Sequence, residues 1–285
     1  GDPTFRFAPV PGSVDVDGLL LQNKASSWKR LLKSPLPDVQ SLAIEQLRKA
    51  GALSSADLLR IYRESPYGVV RLEALMALSA TPDDHFITAV TEASQDAYEL
   101  AQRQAIRFIA KSGDRRLIPA LIRLSIANNT SDRCNFNVMT ALACFSKEDL
   151  LAEFDRQFDA PSVQYLDKQN LRGKIRNTIA HSADRLTTDI DKAMKGESSK
   201  KERTFTIRAL RNTLPHHKVP ELLAYLQACG DGDTQILLLE ALGWHTVSCH
   251  ATDIAATALK MSEDASLPDA VRQEALKTYR RIHEK

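Results

Sequence analysis

One helical segment of this chain reads Val70-Arg71-Leu72-Glu73-Ala74-Leu75-Met76-Ala77-Leu78, and its apolar spacing recurs along the 285 residues. The equivalent first positions, here called the repeat marks, are Val39, Val70, Ala101, Cys134, Leu171, Phe205, Leu237 and Val271. Successive marks are 31, 31, 33, 37, 34, 32 and 34 residues apart. A fixed period of this length predicts stacked helical repeats rather than a globule around one closed core.

Two further columns of residues follow the marks. Four positions after the mark, six of the eight segments have alanine, namely Ala43, Ala74, Ala105, Ala209, Ala241 and Ala275. Five positions after the mark the residue is apolar in every segment except the fifth, which has Arg176. A small residue is needed where helix axes approach to roughly 8–10 Å. We therefore expect both columns to face neighbouring helices.

Each period contains room for a second, shorter helix. These partner helices are predicted at 55–64, 84–93, 114–127, 147–158, 183–195, 220–228 and 251–261. Turns are marked by Gly51, Pro66, Pro82, Gly113, Pro161, Pro215 and Gly230. The polar segment 195–201 is predicted to be a mobile loop. The predicted fold is all-α, a right-handed α-solenoid of about eight two-helix repeats.

Residues 1–26 differ from the remainder of the chain. Pro3, Pro9, Pro11, Gly12 and Gly18 alternate with apolar residues, a pattern that disfavours a helix. We therefore predict an extended arm or linker over 1–26 and a helical-repeat domain over 27–285. An arm of this composition also suits a linker that follows an upstream domain.

The segments at Val70 and at Val271-Arg272-Gln273-Glu274-Ala275-Leu276 resemble the second helix of HEAT-like repeats. Their short period is similar to that of phycobilin-lyase-type HEAT domains. The resemblance covers about 27–285, although Gly173-Lys174-Ile175-Arg176 keeps the arginine and loses the alanine. It implies an armadillo-like helical architecture that serves scaffolds, adaptors, chaperone-like lyases and accessory domains of enzymes.

Arginines cluster on the marked helices. They are Arg71, Arg172 and Arg272 directly after a mark, with Arg103, Arg107, Arg176, Arg208 and Arg211 on the same helices. In HEAT-like solenoids the second helix lines the concave surface, so the resemblance implies a possible basic track for an acidic peptide or another anion. It equally implies a structural ladder, in which each arginine pairs with an acidic residue of the adjacent unit. The sequence leaves both interpretations open.

We find no sequence pattern that indicates catalysis or metal binding. Cys229, His245, Cys249 and His250 lack the short-spaced ligand pairs that zinc needs, and adjacent helical residues at 249 and 250 would point apart. Asp231-Gly232-Asp233 is interpreted as a turn and helix cap, because no calcium loop follows it. No phosphate-binding glycine loop, nucleophile elbow or metalloprotease motif is present in the sequence. We predict no cofactor, no metal and no catalysis.

The composition of the chain limits the classes of partner that it is expected to bind. The net charge is +2, which argues against a nucleic-acid partner, and no apolar run approaches the 18 or so residues of a membrane span. The only tryptophans, Trp28 and Trp244, lie far apart and suggest no aromatic base-binding pair. Four cysteines are too few for a disulfide scaffold. A cytoplasmic monomer is expected, with a periplasmic or secreted protein as the alternative if the native N-terminus has been trimmed.

The sequence therefore predicts a non-catalytic scaffold that binds a protein or peptide partner on its concave face. The alternative is an accessory helical-repeat domain of a larger multidomain enzyme. A DNA-alkylation-repair-type glycosylase or a bilin-lyase-like protein is less favoured, because only the repeat type points to either.

Overall fold

The computed structural model describes residues 14, 16–22, 24–130, 136–158 and 168–284. Within these ranges all regular structure is helical and no strand occurs, which confirms the all-α prediction. The chain divides into two compact units, Gly1–Phe86 and Ile87–Lys285. This division lies inside the region that the sequence assigns to one solenoid.

The first unit is built from short helices that pack in chain order. They are α1 (Val16–Gln22), α2 (Ala25–Leu31), α3 (Pro37–Lys49), α4 (Ser55–Glu64) and α5 (Gly68–Leu78), and α6 (Asp84–Ala93) begins at the end of this unit. Helix α3 contacts both α2 and α5, and α4 contacts α5. Ala43 and Ala74 are fully buried, as expected of the alanine column.

Part of the predicted N-terminal arm is helical. Val16–Gln22 forms α1, and α2 (Ala25–Leu31) begins inside the predicted arm, so an extended arm is wrong for residues 16–22 and 25–26. Between Asp17 and Gln22 the sequence contains only one glycine and no proline, and its leucines favour a helix. The proline-rich part of the arm, residues 1–13, lies outside the described residues.

The second unit contains the remaining helices. They are α7 (Glu99–Ser112), α8 (Ile118–Thr130), α9 (Phe136–Leu142), α10 (Lys147–Phe158), α11 (Lys168–Lys195), α12 (Lys200–Ala209), α13 (Val219–Ala228), α14 (Gly232–Leu242), α15 (Ala251–Glu263) and α16 (Asp269–His283). The marked helices contact each other in the order α7, α9, α11, α12, α14 and α16. The partner helices α8 and α10 are in contact, as are α13 and α15.

Helix α11 replaces two predicted helices by one. The sequence predicts a separate partner helix at 183–195, but α11 runs without interruption for 28 residues. No proline or glycine stands between Lys174 and Lys195, so nothing in this stretch ends a helix until Gly196, which has a φ of +73°. Helix α11 contacts α8, α9, α10 and α12.

The predicted loop at 195–201 is much shorter than expected. Helix α12 begins at Lys200, directly after Ser199. Ser199 accepts a hydrogen bond from the Glu202 backbone N–H, and the Glu202 carboxylate accepts one from the Ser199 backbone N–H at 2.8 Å. This capping box starts the helix within the segment that was predicted to be a loop.

The repeat register is correct at four marks and displaced at two others. Helices α3, α5, α7 and α16 each begin two residues before Val39, Val70, Ala101 and Val271, and these four marks are buried. Helices α12 and α14 begin at Lys200 and Gly232, which places the equivalent positions at Glu202 and Thr234. The predicted marks Phe205 and Leu237 are therefore three residues too late. Cys134 lies outside the described residues.

The described helices contain no segment that is both long and apolar enough to cross a membrane.

Candidate interaction surface

At several marks, the next residue hydrogen-bonds to the turn that precedes its own helix. Gln40 donates from Nε2 to the Ser34 carbonyl at 2.5 Å. Arg71 donates from Nη1 to the carbonyls of Ser65 and Pro66, both at 3.2 Å. These carbonyls follow the preceding helix, where backbone acceptors otherwise lack partners.

Two more members of this column make the same contact in the second unit. Gln102 donates to the Ser94 carbonyl at 3.1 Å. Gln235, which follows the corrected mark Thr234, donates to the Leu226 carbonyl at 3.1 Å and is buried. Four members of the column directly after the mark, Gln40, Arg71, Gln102 and Gln235, are thus turn clamps.

Three other arginines of the predicted site pair with an acidic residue on the preceding helix or on their own helix. Arg172 Nη2 lies 2.7 Å from Asp155 Oδ1, and Arg176 Nε lies 3.7 Å from the same oxygen. Asp155 belongs to α10, the helix that immediately precedes α11. Arg272 pairs at 2.9 Å with Asp269 on its own helix. These contacts are not the ladder between adjacent units that the resemblance implies.

The remaining predicted arginines project from the exposed side of the marked helices. Arg103 pairs with Glu99 one turn earlier, at 2.5 Å. Arg211 lies 3.3 Å from Glu240. Arg107 and Arg208 are exposed, stand six residues after Ala101 and Glu202, and make no side-chain hydrogen bond or ion pair with the described part of the chain.

Helices α7, α9, α11 and α12 contact each other in this order, and we call their exposed basic and aromatic side chains the basic face. Its members are Arg103, Arg107, Lys111, Phe136, Lys174, Phe205 and Arg208, all of them exposed. Phe136 is 71% exposed and Phe205 is 76% exposed. Large aromatic side chains are rarely this open without a partner, and cations around them favour an anionic partner.

Acidic side chains also lie near part of this surface, since Asp189, Glu197 and Glu202 line a cavity together with Phe205. Glu99 pairs with Arg103, and Glu202 caps α12. The acidic residues of α11 begin at Asp184, which pairs with Lys147 at 2.7 Å. Helix α9 has no acidic residue. Both signs of charge are therefore present beside Phe205, whereas Arg107, Lys111 and Lys174 are exposed cations on α7 and α11.

Sequence reasoning missed the aromatic members of this surface. Phe205 was assigned to a buried column, because an apolar residue at the expected spacing looked like a mark. The capping box Ser199-x-x-Glu202 was the available signal for the correct register, since it fixes where α12 begins. Lys111 and Lys174 carry no motif and were not singled out.

A second feature, which we call the turn hub, surrounds the buried side chain of His216. The His216 Nε2 lies 2.8 Å from the Ala110 carbonyl, which can only accept, so this nitrogen carries the proton. The other ring nitrogen, Nδ1, lies 3.0 Å from the Ser248 hydroxyl and accepts from it. The His216 backbone N–H donates to the Cys144 carbonyl at 3.0 Å, and the Cys249 N–H donates to the Ser112 carbonyl at 2.8 Å.

Gly113 is required at the hub for two reasons. Its φ is +63°, a left-handed conformation that disfavours other residues. A Cβ at this position would also overlap the His216 ring. The turn after α7 therefore packs directly on a side chain that lies more than one hundred residues later in the chain.

The hub residues His216, Cys144 and Cys249 are in their neutral forms at physiological pH. Burial lowers the pKa of His216 to about 3, so the ring is neutral at physiological pH. Burial raises the pKa of Cys144 to about 12, and burial with the nearby Asp114 charge raises that of Cys249 to about 11. Neither thiol is an activated nucleophile, because the thiolate is the reactive form.

Three residues of the zinc hypothesis, His245, Cys249 and His250, lie near this hub. Cys249 and His250 lie in the turn before α15 rather than on a helix, which corrects the argument from helical geometry. A cavity of about 460 Å³ beside the hub is lined in part by His217, Cys249 and His250. Among the described residues no group of three or more His, Cys, Asp or Glu side chains could hold a metal ion.

Comparisons with protein-family models and with curated proteins give no match for this chain. The contacts described above are therefore the basis for assigning a function.

Proposed function

We propose that this chain is a non-catalytic interaction scaffold, a right-handed α-solenoid of about eight HEAT-like repeats that binds a protein partner. The order in which the marked helices contact each other supports stacking. Helices α11, α12 and α14 begin at Lys168, Lys200 and Gly232, which are 32 residues apart, and this equal spacing also supports stacking.

The basic face is the partner-binding surface in this proposal, and its two exposed phenylalanines carry the argument. Phe136 and Phe205 lie on α9 and α12, and α11 contacts both of these helices. Arg107, Lys174 and Arg208 are exposed cations on α7, α11 and α12, and Lys192 and Lys201 line the cavity beside Phe205 together with three carboxylates. An extended segment with apolar side chains between carboxylates fits this pattern, because it satisfies both groups at once.

A protein segment fits better than a nucleic acid. A single-stranded nucleic acid needs a continuous cationic groove along its phosphates together with aromatic platforms. Here Arg103 is already paired with Glu99, and the whole chain has a net charge of only +2. The predicted residues Arg71, Arg172, Arg176 and Arg272 are tied to turns or to carboxylates and are assigned no direct role in binding.

The proposal is tested with a fluorescein-labelled short peptide rich in glutamate and leucine, whose anisotropy reports binding. The double variant Arg107→Glu, Arg208→Glu should weaken binding about a hundredfold or more, since it reverses two charges that contact the partner. The matched control Arg60→Glu, Arg123→Glu makes the same charge change on α4 and α8, outside the basic face. Phe205→Ala should weaken binding about tenfold, the typical loss for an exposed aromatic anchor.

Three outcomes contradict the proposal. The first is equal weakening by the two double variants, which would indicate nonspecific charge attraction. The second is full binding by Phe205→Ala. The third is tighter binding of a single-stranded oligonucleotide than of the peptide with the same sensitivity to Arg107→Glu, Arg208→Glu, which would assign the face to nucleic acid.

A further inference from the structure

Trp244 is an exposed tryptophan that holds two guanidinium groups. It follows α14 and is 46% exposed. The guanidinium carbon of Arg211 lies 4.4 Å from the centre of the indole ring, and that of Arg281 lies 4.6 Å from it. Both distances are within the range of a cation–π contact. Three segments therefore meet here: the turn after α12, the end of α14, and α16.

Gly243 makes room for one of these cations. A Cβ on Gly243 would lie 2.8 Å from Nη1 of Arg281 and 3.2 Å from the Thr278 hydroxyl oxygen. The absence of a side chain thus allows the guanidinium to reach the indole. Thr278 is fixed in turn, because its hydroxyl donates to the Leu239 carbonyl at 2.9 Å.

Within the described residues, the Glu240 carboxylate contacts only one of the two cations. Glu240 lies 3.3 Å from Arg211 Nη1 and accepts a hydrogen bond from Trp244 Nε1 at 2.9 Å. Arg281 makes only a long contact, 3.5 Å from Nη1 to the Glu240 backbone carbonyl. The two guanidinium groups therefore hold one excess positive charge. Most of their N–H donors are not used within the described chain.

We propose that Arg211, Trp244 and Arg281 form a carboxylate-binding subsite that takes two neighbouring acidic side chains of the partner. This inference rests on the proposed function, because it extends the basic face from α12 to α16. The indole fixes the guanidinium planes in advance, which reduces the entropy lost when each one binds a carboxylate. A nucleobase is disfavoured, because the two cations already occupy the ring that it would stack on.

The protein contains its own spectroscopic probe of this subsite. Trp28 is 1% exposed and lies in the other compact unit, so its emission serves as a constant background. Titration with a hexaglutamate peptide should change the emission of Trp244 at the same concentrations at which it binds. Trp244→Phe should abolish the change.

Two variants and one matched control locate the effect. Arg281→Gln should weaken hexaglutamate binding about tenfold, which is the loss expected from one charge-assisted hydrogen-bonded pair. Gly243→Ala should weaken it severalfold without changing the charge, because the added methyl group displaces the Arg281 guanidinium. Arg280→Gln removes the same charge one residue earlier, from a side chain that lies 4.0 Å from Glu284, and should change binding less than twofold.

Distinct results overturn the subsite and the proposed function. Equal weakening by Arg280→Gln and Arg281→Gln, or binding without a change in Trp244 emission, overturns the subsite. Inorganic phosphate that competes as strongly as glutamate residues overturns the choice of carboxylate. If hexaglutamate shifts the emission but the glutamate and leucine peptide is insensitive to Arg107→Glu, Arg208→Glu, the subsite stands and the proposed function fails.

Discussion

The turn hub and the basic face both involve α7 and α9, but their polar groups differ in how far they are paired. At the hub, His216 has both ring nitrogens hydrogen-bonded, and the backbone of the facing turns is paired as well. On the basic face, Arg107 and Arg208 make no such contacts with described residues, and Phe205 is open to solvent. Polar groups that are buried and satisfied hold a structure together, whereas exposed cations beside open aromatics are free for a partner. Substitutions should therefore separate stability from binding.

The largest expected effect belongs to the hub. Gly113→Ala should lower the free energy of unfolding by roughly 3–5 kcal/mol, since it adds a left-handed alanine and a steric overlap with His216. Urea denaturation measures the loss. The control is Gly196→Ala, which has a φ of +73° but no atom near its Cβ, and should cost only about 1–2 kcal/mol. Similar losses in both variants would show that the hub contact contributes nothing.

The corrected register of α12 gives the next effect. Ile207→Ala should cost roughly 2–4 kcal/mol, because this side chain is buried in the second unit. Phe205→Ala should change stability by less than about 0.5 kcal/mol, because the ring is exposed. Thermal or urea unfolding of the two variants decides between the registers. A greater loss from Phe205→Ala would restore the mark predicted from sequence.

Acid should weaken the hub gradually. The pKa of His216 falls from an ordinary value of 6.5 to about 3 on folding, so the unfolded chain takes up a proton first. The contribution of His216 to the free energy of unfolding is fully present above about pH 6.5. It decreases by about 1.4 kcal/mol for each pH unit from there toward pH 3. Urea titrations at several pH values should show this slope, and His216→Gln should flatten it. An unchanged slope in the variant would assign the acid sensitivity to other groups.

The smallest effect distinguishes a turn clamp from a face residue of the same type. Arg71→Ala should cost about 1–2 kcal/mol, because the carbonyls of Ser65 and Pro66 lose their donor. Arg107→Ala should change stability by less than about 0.5 kcal/mol. Melting curves of the two variants provide the measurement. Equal melting temperatures would remove the distinction between the two columns.

The sequence predicted the helices better than their register. Val39, Val70, Ala101 and Val271 are apolar and buried, so their spacing located α3, α5, α7 and α16 correctly. In α12 the equivalent position is Glu202, a polar capping residue, and the nearest apolar residue was chosen instead. In α14 the equivalent is Thr234, whose hydroxyl is hydrogen-bonded to Asp231 at 2.6 Å. A pattern of apolar residues does not detect a polar side chain that occupies the same place.

The candidate site was predicted only in part. The sequence placed eight arginines on the marked helices, but it did not separate Arg71, which clamps a turn, from Arg107, which faces solvent. That difference depends on which backbone carbonyls lie within reach, and a one-dimensional pattern does not contain this information. The contact between His216 and Ala110 joins residues that are 106 positions apart, so no local sequence motif predicts it.

This long-range contact has a consequence for how the chain acquires its structure. A repeat array in which each unit touches only its neighbours tends to fray from its ends and to fold from any point. In the second unit, the turn after α7 gains its His216 partner only after more than one hundred further residues have been synthesised. We therefore expect slow, all-or-none folding of that unit, because its early helices gain some of their stabilising contacts only from residues near its C-terminal end.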